Sequence, residues 1–256
     1  MANGFDNTNY QAVNAHVIDQ WIADGWQWGI PVDHEVCARA AAGDWSILLT
    51  PTKPVPREWF GELAGTQVLG LASGGGQQMP ILSLAGAHCT VLDYSSEQIE
   101  SERVVAEREG YDITLVQADM SQPLPFADAS FDLVFNPVSL CYVREIDGIW
   151  AEVARVLKPG GALLAGLDLG LNYIFDDDER EVVRGLPYDP IAHPELMEGL
   201  DVAEWGIQFS HTVGELLHGI LAAGLVLDDA FDDINGEGRL SELGIPTMLA
   251  LKAHKA

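Results

Sequence analysis

The 256 residues carry 39 acidic against 13 basic side chains, a formal net charge of -26. Such a surface repels nucleic acid and anionic membrane faces and disfavours polyanionic substrates. The length suits one large α/β core with appendages better than two independent domains. The opening MANGFDNTNY has no basic-then-apolar leader, and no apolar run approaches the roughly 18 residues that span a bilayer. A cytoplasmic protein without membrane insertion is therefore expected. Cys37, Cys89 and Cys141 are widely spaced, without a CxxC pair or a nearby histidine pattern, so neither a metal site nor a disulfide framework is expected.

Residues 1–60 hold five of the seven tryptophans and the prolines Pro51, Pro54 and Pro56, and read as a helical cap outside the main domain, which spans 61–256. Val13, Val17, Ile18 and Trp21 recur at helical spacing, and a second helix is expected over 34–42, closed by Gly43. From Gln67 short apolar runs alternate with helical segments, the pattern of parallel strands joined by crossover helices. Strands are expected at 67–72, 89–93, 113–117, 131–136 and 162–167. Ser95 and Gln98 form a capping box ahead of a helix that Gly110 closes, and a helix over 147–157 stops at Pro159. Residues 168–210 lose regularity and read as a substrate-side insertion. Thr212 and Glu215 cap another helix, strands follow at 225–231 and 247–252, and the stretch between them reads as a loop that pairs them antiparallel.

The chemistry centres on VLGLASGGG at 68–76, a strand breaking into glycines that let a cofactor approach the backbone. Asp93 ends the next strand nineteen residues after Gly74, the distance at which an acid reaches ribose hydroxyls. Asp119 and Met120 follow the third strand, where a carboxylate accepts from an adenine amino group and a thioether packs on the ring.

VLGLASGGG, TVLDYS, LVQADM, SFDLVFNPVSL and VLKPGGALL together cover residues 68–167 in an order that resembles the class I S-adenosylmethionine-dependent methyltransferases, and in particular their ubiquinone and menaquinone C-methyltransferase branch. The resemblance implies an α/β, Rossmann-like three-layer sandwich. Its seven-stranded, mostly parallel sheet has an antiparallel last strand, and S-adenosylmethionine is its cofactor. It places Ala72, Ser73, Gly74 and Gly76 at the methionine part of the cofactor and Asp93 on the ribose. Tyr94, Asp119 and Met120 then meet the adenine, and Asn136 borders the sulfonium. The family's usual acid stands as Gly70 here and its usual glycine as Ala72. Gln77 or Gln78 from the turn, and Lys53 or Trp28 from the cap, are the candidate replacements at the amino-acid end. Asp168 and His211, at the rim of the sheet, are the leading candidates for a general base, ahead of His34 and His193. The acceptor is expected to be a small, neutral or cationic, partly aromatic molecule. A nicotinamide-dependent oxidoreductase, a non-catalytic cofactor-binding protein and an aminopropyl transferase are the competing readings.

Overall fold

The computed structural model describes residues 9–198 and 200–256. Seven strands, β1 (Gln67–Leu71), β2 (His88–Asp93), β3 (Thr114–Gln117), β4 (Phe131–Asn136), β5 (Leu157–Asp168), β6 (Leu225–Asp233) and β7 (Met248–Lys255), form one sheet in the order β3-β2-β1-β4-β5-β7-β6. The first five pair in parallel, and β7 runs antiparallel to both β5 and β6. The chain steps outward from β1 to β3, then returns to β4 on the other side. A crevice is left at the carboxyl ends of β1 and β4, where such sheets bind ligands.

The helices are α1 (Tyr10–Ala23), α2 (His34–Ala41), α3 (Gln78–Leu84), α4 (Ser96–Glu109), α5 (Asp147–Val156), α6 (Pro194–Met197), α7 (Val202–Trp205), α8 (Val213–Ala222) and α9 (Gly238–Glu242). Alternation along the strands sends side chains to two cores. Leu69, Leu71, Val134, Leu163 and Leu251 pack with Trp150 of α5 and Ile220 of α8. Val68, Val91, Leu133, Phe135 and Leu164 pack on the opposite face with Met79 and Leu82 of α3. Ile47, Leu49, Val55, Trp59 and Phe60 join that second core, so this part of the tryptophan-rich region forms a layer on the sheet. What reaches over the strand ends is α1 and the turn after it.

Three local expectations change. The Ser95 hydroxyl accepts from Gln98 N at 3.1 Å, but Ser95 N–H is taken by Asp93 Oδ1 at 3.0 Å, so only half of the capping box forms and the Gln98 amide is released. The Thr212–Glu215 box closes in full. β5 begins ahead of the expected 162: Leu157 already pairs with Phe131, Ala162 pairs with Leu133, and Lys158–Gly161 bulge out between them. The stretch between β6 and β7 contains α9, whose first turn is bonded from Leu240 N to Glu179 Oε2 at 2.6 Å. Its cap comes from a residue far back in the chain, so local sequence did not show it.

Candidate active site

A cavity of about 620 Å³ opens at the carboxyl ends of β1, β2, β4 and β5, roofed by α1, by Trp26 and Trp28, and by residues 48–51. Two polar anchors hold the roof. Asn14 clasps Ile207, accepting from its N–H at 2.7 Å and donating to its carbonyl at 2.8 Å. Asp19 accepts from the hydroxyls of Ser95 and Ser96 and from Glu97 N–H, which docks α1 on the first turn of α4. Gln77 Nε2 adds a third tie, donating to the carbonyls of Gln27 and Ile30 at 2.7 and 3.0 Å.

The glycine turn is fixed by its neighbours. Gly74 N–H donates to Asp93 Oδ2 at 3.0 Å, Gly75 N–H to the Gln98 carbonyl at 3.0 Å, and Gly76 N–H to Glu102 Oε1 at 2.9 Å. A Cβ on Gly74 would stand 2.5 Å from Gln98 Cβ and 3.0 Å from the Asp93 carboxylate, so glycine is a packing requirement there. Ala72 holds φ at 48°, the left-handed conformation for which glycine is suited. At position 70 a Cβ would meet Met79 Sδ at 2.7 Å and Cγ at 2.9 Å: a buried thioether fills the place of the usual acid.

Of the residues expected from sequence, Trp28, Ala72, Ser73, Gly74, Gln77, Gln78, Asp93, Tyr94, Asp119, Met120 and Asp168 line this one cavity. Four do not. Gly76 faces α4, where a Cβ would meet Ser101 O at 2.9 Å. Asn136 is fully buried and braces the chain instead, donating to the Leu71 carbonyl at 2.8 Å and the Ser139 hydroxyl at 2.9 Å. Lys53 is drawn to the end of β6, with Nζ donating to Asp232 O and its backbone N–H to Asp233 Oδ2. His211 is buried with Nε2 against the carbonyls of Val143 and Leu140 at 2.9 and 3.3 Å, which makes it a strut for that loop. His34 and His193 sit at the surface beside Glu109 and Glu195.

The wall also contains residues that sequence reasoning missed, notably Gln98, Asn14, Tyr142, Tyr173 and Glu179. For Gln98 the signal was present: it lies one turn into the helix after the acid-ended strand, and with the capping box half formed its Oε1 is buried beside Gly75 without a partner. The others come from segments with no period that betrays a site.

Burial pushes the Asp93 carboxyl up to about 6, against the pull of N–H donors from Gly74, Ser95 and Tyr94. Asp168 is also raised to about 6 by burial, opposed by Gly170 N–H, which donates to its Oδ1 at 2.7 Å. Burial lifts the Tyr142 and Tyr173 hydroxyls well above the ordinary phenol range, with the Asp168 charge adding to it. The thiols of Cys37, Cys89 and Cys141 are raised in the same way, which removes them as nucleophiles.

Residues 69–165 match a methyltransferase domain family. Over 232 residues the chain is 35% identical to an uncharacterised methyltransferase, YbaJ, of Bacillus subtilis, spanning 88% of this chain and 91% of that one. The chain belongs to the class I S-adenosylmethionine-dependent methyltransferases. Two solved structures share the fold. A Mesorhizobium loti S-adenosylmethionine-dependent methyltransferase aligns with a TM-score of 0.60 at 22% identity, over 78% of this chain and 95% of that one. The Burkholderia thailandensis 1,6-didemethyltoxoflavin-N1-methyltransferase aligns with a TM-score of 0.63 at 17% identity, over 100% and 93%.

The walls fit the methyl donor of this family. Asp93 is 9% exposed at the end of β2, beside a turn that admits no Cβ, and the Oε1 of the buried Gln98 has no protein partner in the cavity wall. Among the described residues the cavity carries acids and amides but no basic side chain, an environment that favours a sulfonium cation. The comparisons favour none of the three competing readings. No helix among the described residues is long and apolar enough to cross a membrane.

Proposed function

We propose that this methyltransferase acts on a small, uncharged or cationic acceptor with aromatic character, and that Asp168 receives the proton the acceptor gives up. The observation that carries the reading is the placement of Asp168. It ends β5 in the cavity wall, one oxygen is fixed by Gly170 N–H, and among the described residues no donor meets the other. Tyr142, Tyr173 and Met248 beside it supply ring-packing surface, and Glu179 adds a second carboxylate. This is a setting for the ring-bearing acceptors of the ubiquinone and menaquinone branch, which the motif resemblance supports.

At the donor end, Asp93 is placed to hold the ribose hydroxyls, Tyr94 to flank the adenine, and Asp119 with Met120 to meet its edge. Ala72, Ser73, Gly74 and Gln78 line the methionine end, with Trp28 above. Gln77 contributes indirectly by tying the roof to the glycine turn. Bound S-adenosylmethionine supplies an electrophilic sulfonium methyl. The chain's own work is then to align the acceptor, exclude water beneath the roof of α1, and take a proton on Asp168. Of the region 1–60, α1 and the turn after it would act as lid, and 168–210 would select the acceptor.

Asp168→Asn tests the assignment. With an acceptor identified by screening for methyl transfer, kcat is expected to fall about a hundredfold or more, while S-adenosylhomocysteine affinity holds. The wild-type kcat/KM should decline as pH drops below about 6, since only ionised Asp168 accepts a proton. An unchanged kcat in the variant removes Asp168 from the chemistry.

A further inference from the structure

Asp168 stands out among the enclosed carboxylates for how little of the chain answers its charge. Asp93 accepts from the N–H groups of Gly74, Ser95 and Tyr94, and Asp233 from the N–H groups of Thr52, Lys53 and Ile234 and the Thr52 hydroxyl. Glu102 has one donor, Gly76 N–H, but lies beneath the glycine turn and off the cavity wall. Asp168 is in the wall, and among the described residues Gly170 N–H is its one donor. No lysine, arginine or histidine among those residues lines the cavity, so the other Asp168 oxygen has no counter-ion there. An enclosed carboxylate in this condition is costly unless a ligand pairs with it.

The groups around it suit a ring. Met248 pairs with Asp168 across β5 and β7, and the Asp168 charge is felt at the hydroxyls of Tyr142 and Tyr173, which keeps both close to it. Glu179 adds a second carboxylate to the wall, and Asn172 adds a side-chain oxygen that is buried without a partner. Neutral donors on the wall, such as Asn235 and Gln11, serve charged and uncharged guests alike. The carboxylates tell them apart. A hydroxyl acceptor that loses its proton becomes an oxyanion among acids, which repel it. For an amine, the positive charge that leaves sulfur reappears on nitrogen, where the same acids stabilise it. The motif resemblance covers residues 68–167 and stops short of Asp168, so it does not choose between the two.

We infer that the acceptor is a ring-bearing amine that enters as its ammonium ion, pairs with the free oxygen of Asp168 beside Tyr142, Tyr173 and Met248, and is methylated on nitrogen. One N–H proton passes to Asp168, and the lone pair it leaves forms the bond from nitrogen to the methyl carbon. The carbon–sulfur bond breaks with its electron pair remaining on sulfur. The inference rests on the reading of Asp168 as the group that takes the acceptor's proton.

Isothermal titration of the full chain saturated with S-adenosylhomocysteine compares matched amines and alcohols: 2-phenylethylamine with 2-phenylethanol, tyramine with tyrosol, and tryptamine with tryptophol. At least one amine should bind about tenfold or more tighter than its alcohol. With S-adenosylmethionine in place of the product, mass spectrometry should find that amine methylated on nitrogen. In Asp168→Asn the preference for the amine should shrink to about threefold or less, with retained S-adenosylhomocysteine affinity showing that the variant folds. Alcohols that bind as well as their amines, a preference that survives in the variant, a bound amine that gains no methyl group, or no binding by any amine overturns the inference. Methylation of an alcohol on oxygen, with a kcat that falls in Asp168→Asn, overturns it while leaving Asp168 as the base. If S-adenosylhomocysteine itself does not bind, the donor-site reading fails and the inference falls with it.

Discussion

Glu102 of α4 lies beneath the glycine turn with no exposed surface, its Oε1 accepting from Gly76 N–H at 2.9 Å. Burial raises its carboxyl from 4.5 to about 8, the Asp93 charge adds to the rise, and Gly76 N–H opposes it. The folded chain therefore holds Glu102 as the neutral acid at pH 7, whereas the unfolded chain holds it as carboxylate. Taking up that proton on folding costs about 3 kcal/mol at pH 7, from roughly 2.5 pH units above the unfolded value at ~1.4 kcal/mol each. The folded pKa is the higher one, so stability is fully present below the unfolded value of 4.5 and is lost as pH rises to about 8. Glu102→Gln keeps an acceptor for Gly76 N–H and removes the ionisation. Urea unfolding of both proteins across this pH range should show the variant matching wild type at the acid end and exceeding it by about 3 kcal/mol at pH 7. Asp93 is common to both and cancels to first order. A difference that stays flat with pH, or a variant weaker throughout, would refute the argument.

Other substitutions probe the turn and roof. Ala72→Gly should stabilise the fold by about 0.5–1 kcal/mol, relief of the left-handed strain outweighing the added chain entropy; a loss of stability in urea would show that the Ala72 methyl packs better than its backbone sits. Gly70→Asp should cost about 2–4 kcal/mol, because it drives a carboxylate into buried Met79. A variant of wild-type stability would show that Met79 readily yields its place. Gln77→Ala should loosen residues 24–33 by about 1 kcal/mol through the two lost bonds to Gln27 and Ile30. Faster amide exchange confined to that segment checks it, and unchanged exchange removes Gln77 as a tether.

The sequence by itself determined the strands of the sheet, the parallel direction of the first five and the antiparallel pairing of the last two. Those follow from local causes: β-rich runs of five to seven residues, glycine and proline breaks, and caps such as Thr212 with Glu215. It also picked out much of the cavity lining, since strand ends are fixed by that alternation, Asp93 and Asp168 end β2 and β5, and Asp119 follows β3 by two residues. Tertiary structure decided where side chains turn once the backbone is placed. Asn136 and Gly76 lie one to three residues from cavity-lining positions yet serve β1 and α4, because buried polar groups go to the nearest unpaired partner. His211 became a strut for the same reason. α9 depends on Glu179, 61 residues earlier, a pairing no local pattern encodes. The glycine turn was legible as a motif. That Met79 fills the usual acid's place, and that every glycine N–H in the turn is already spent, could be known only from its packing.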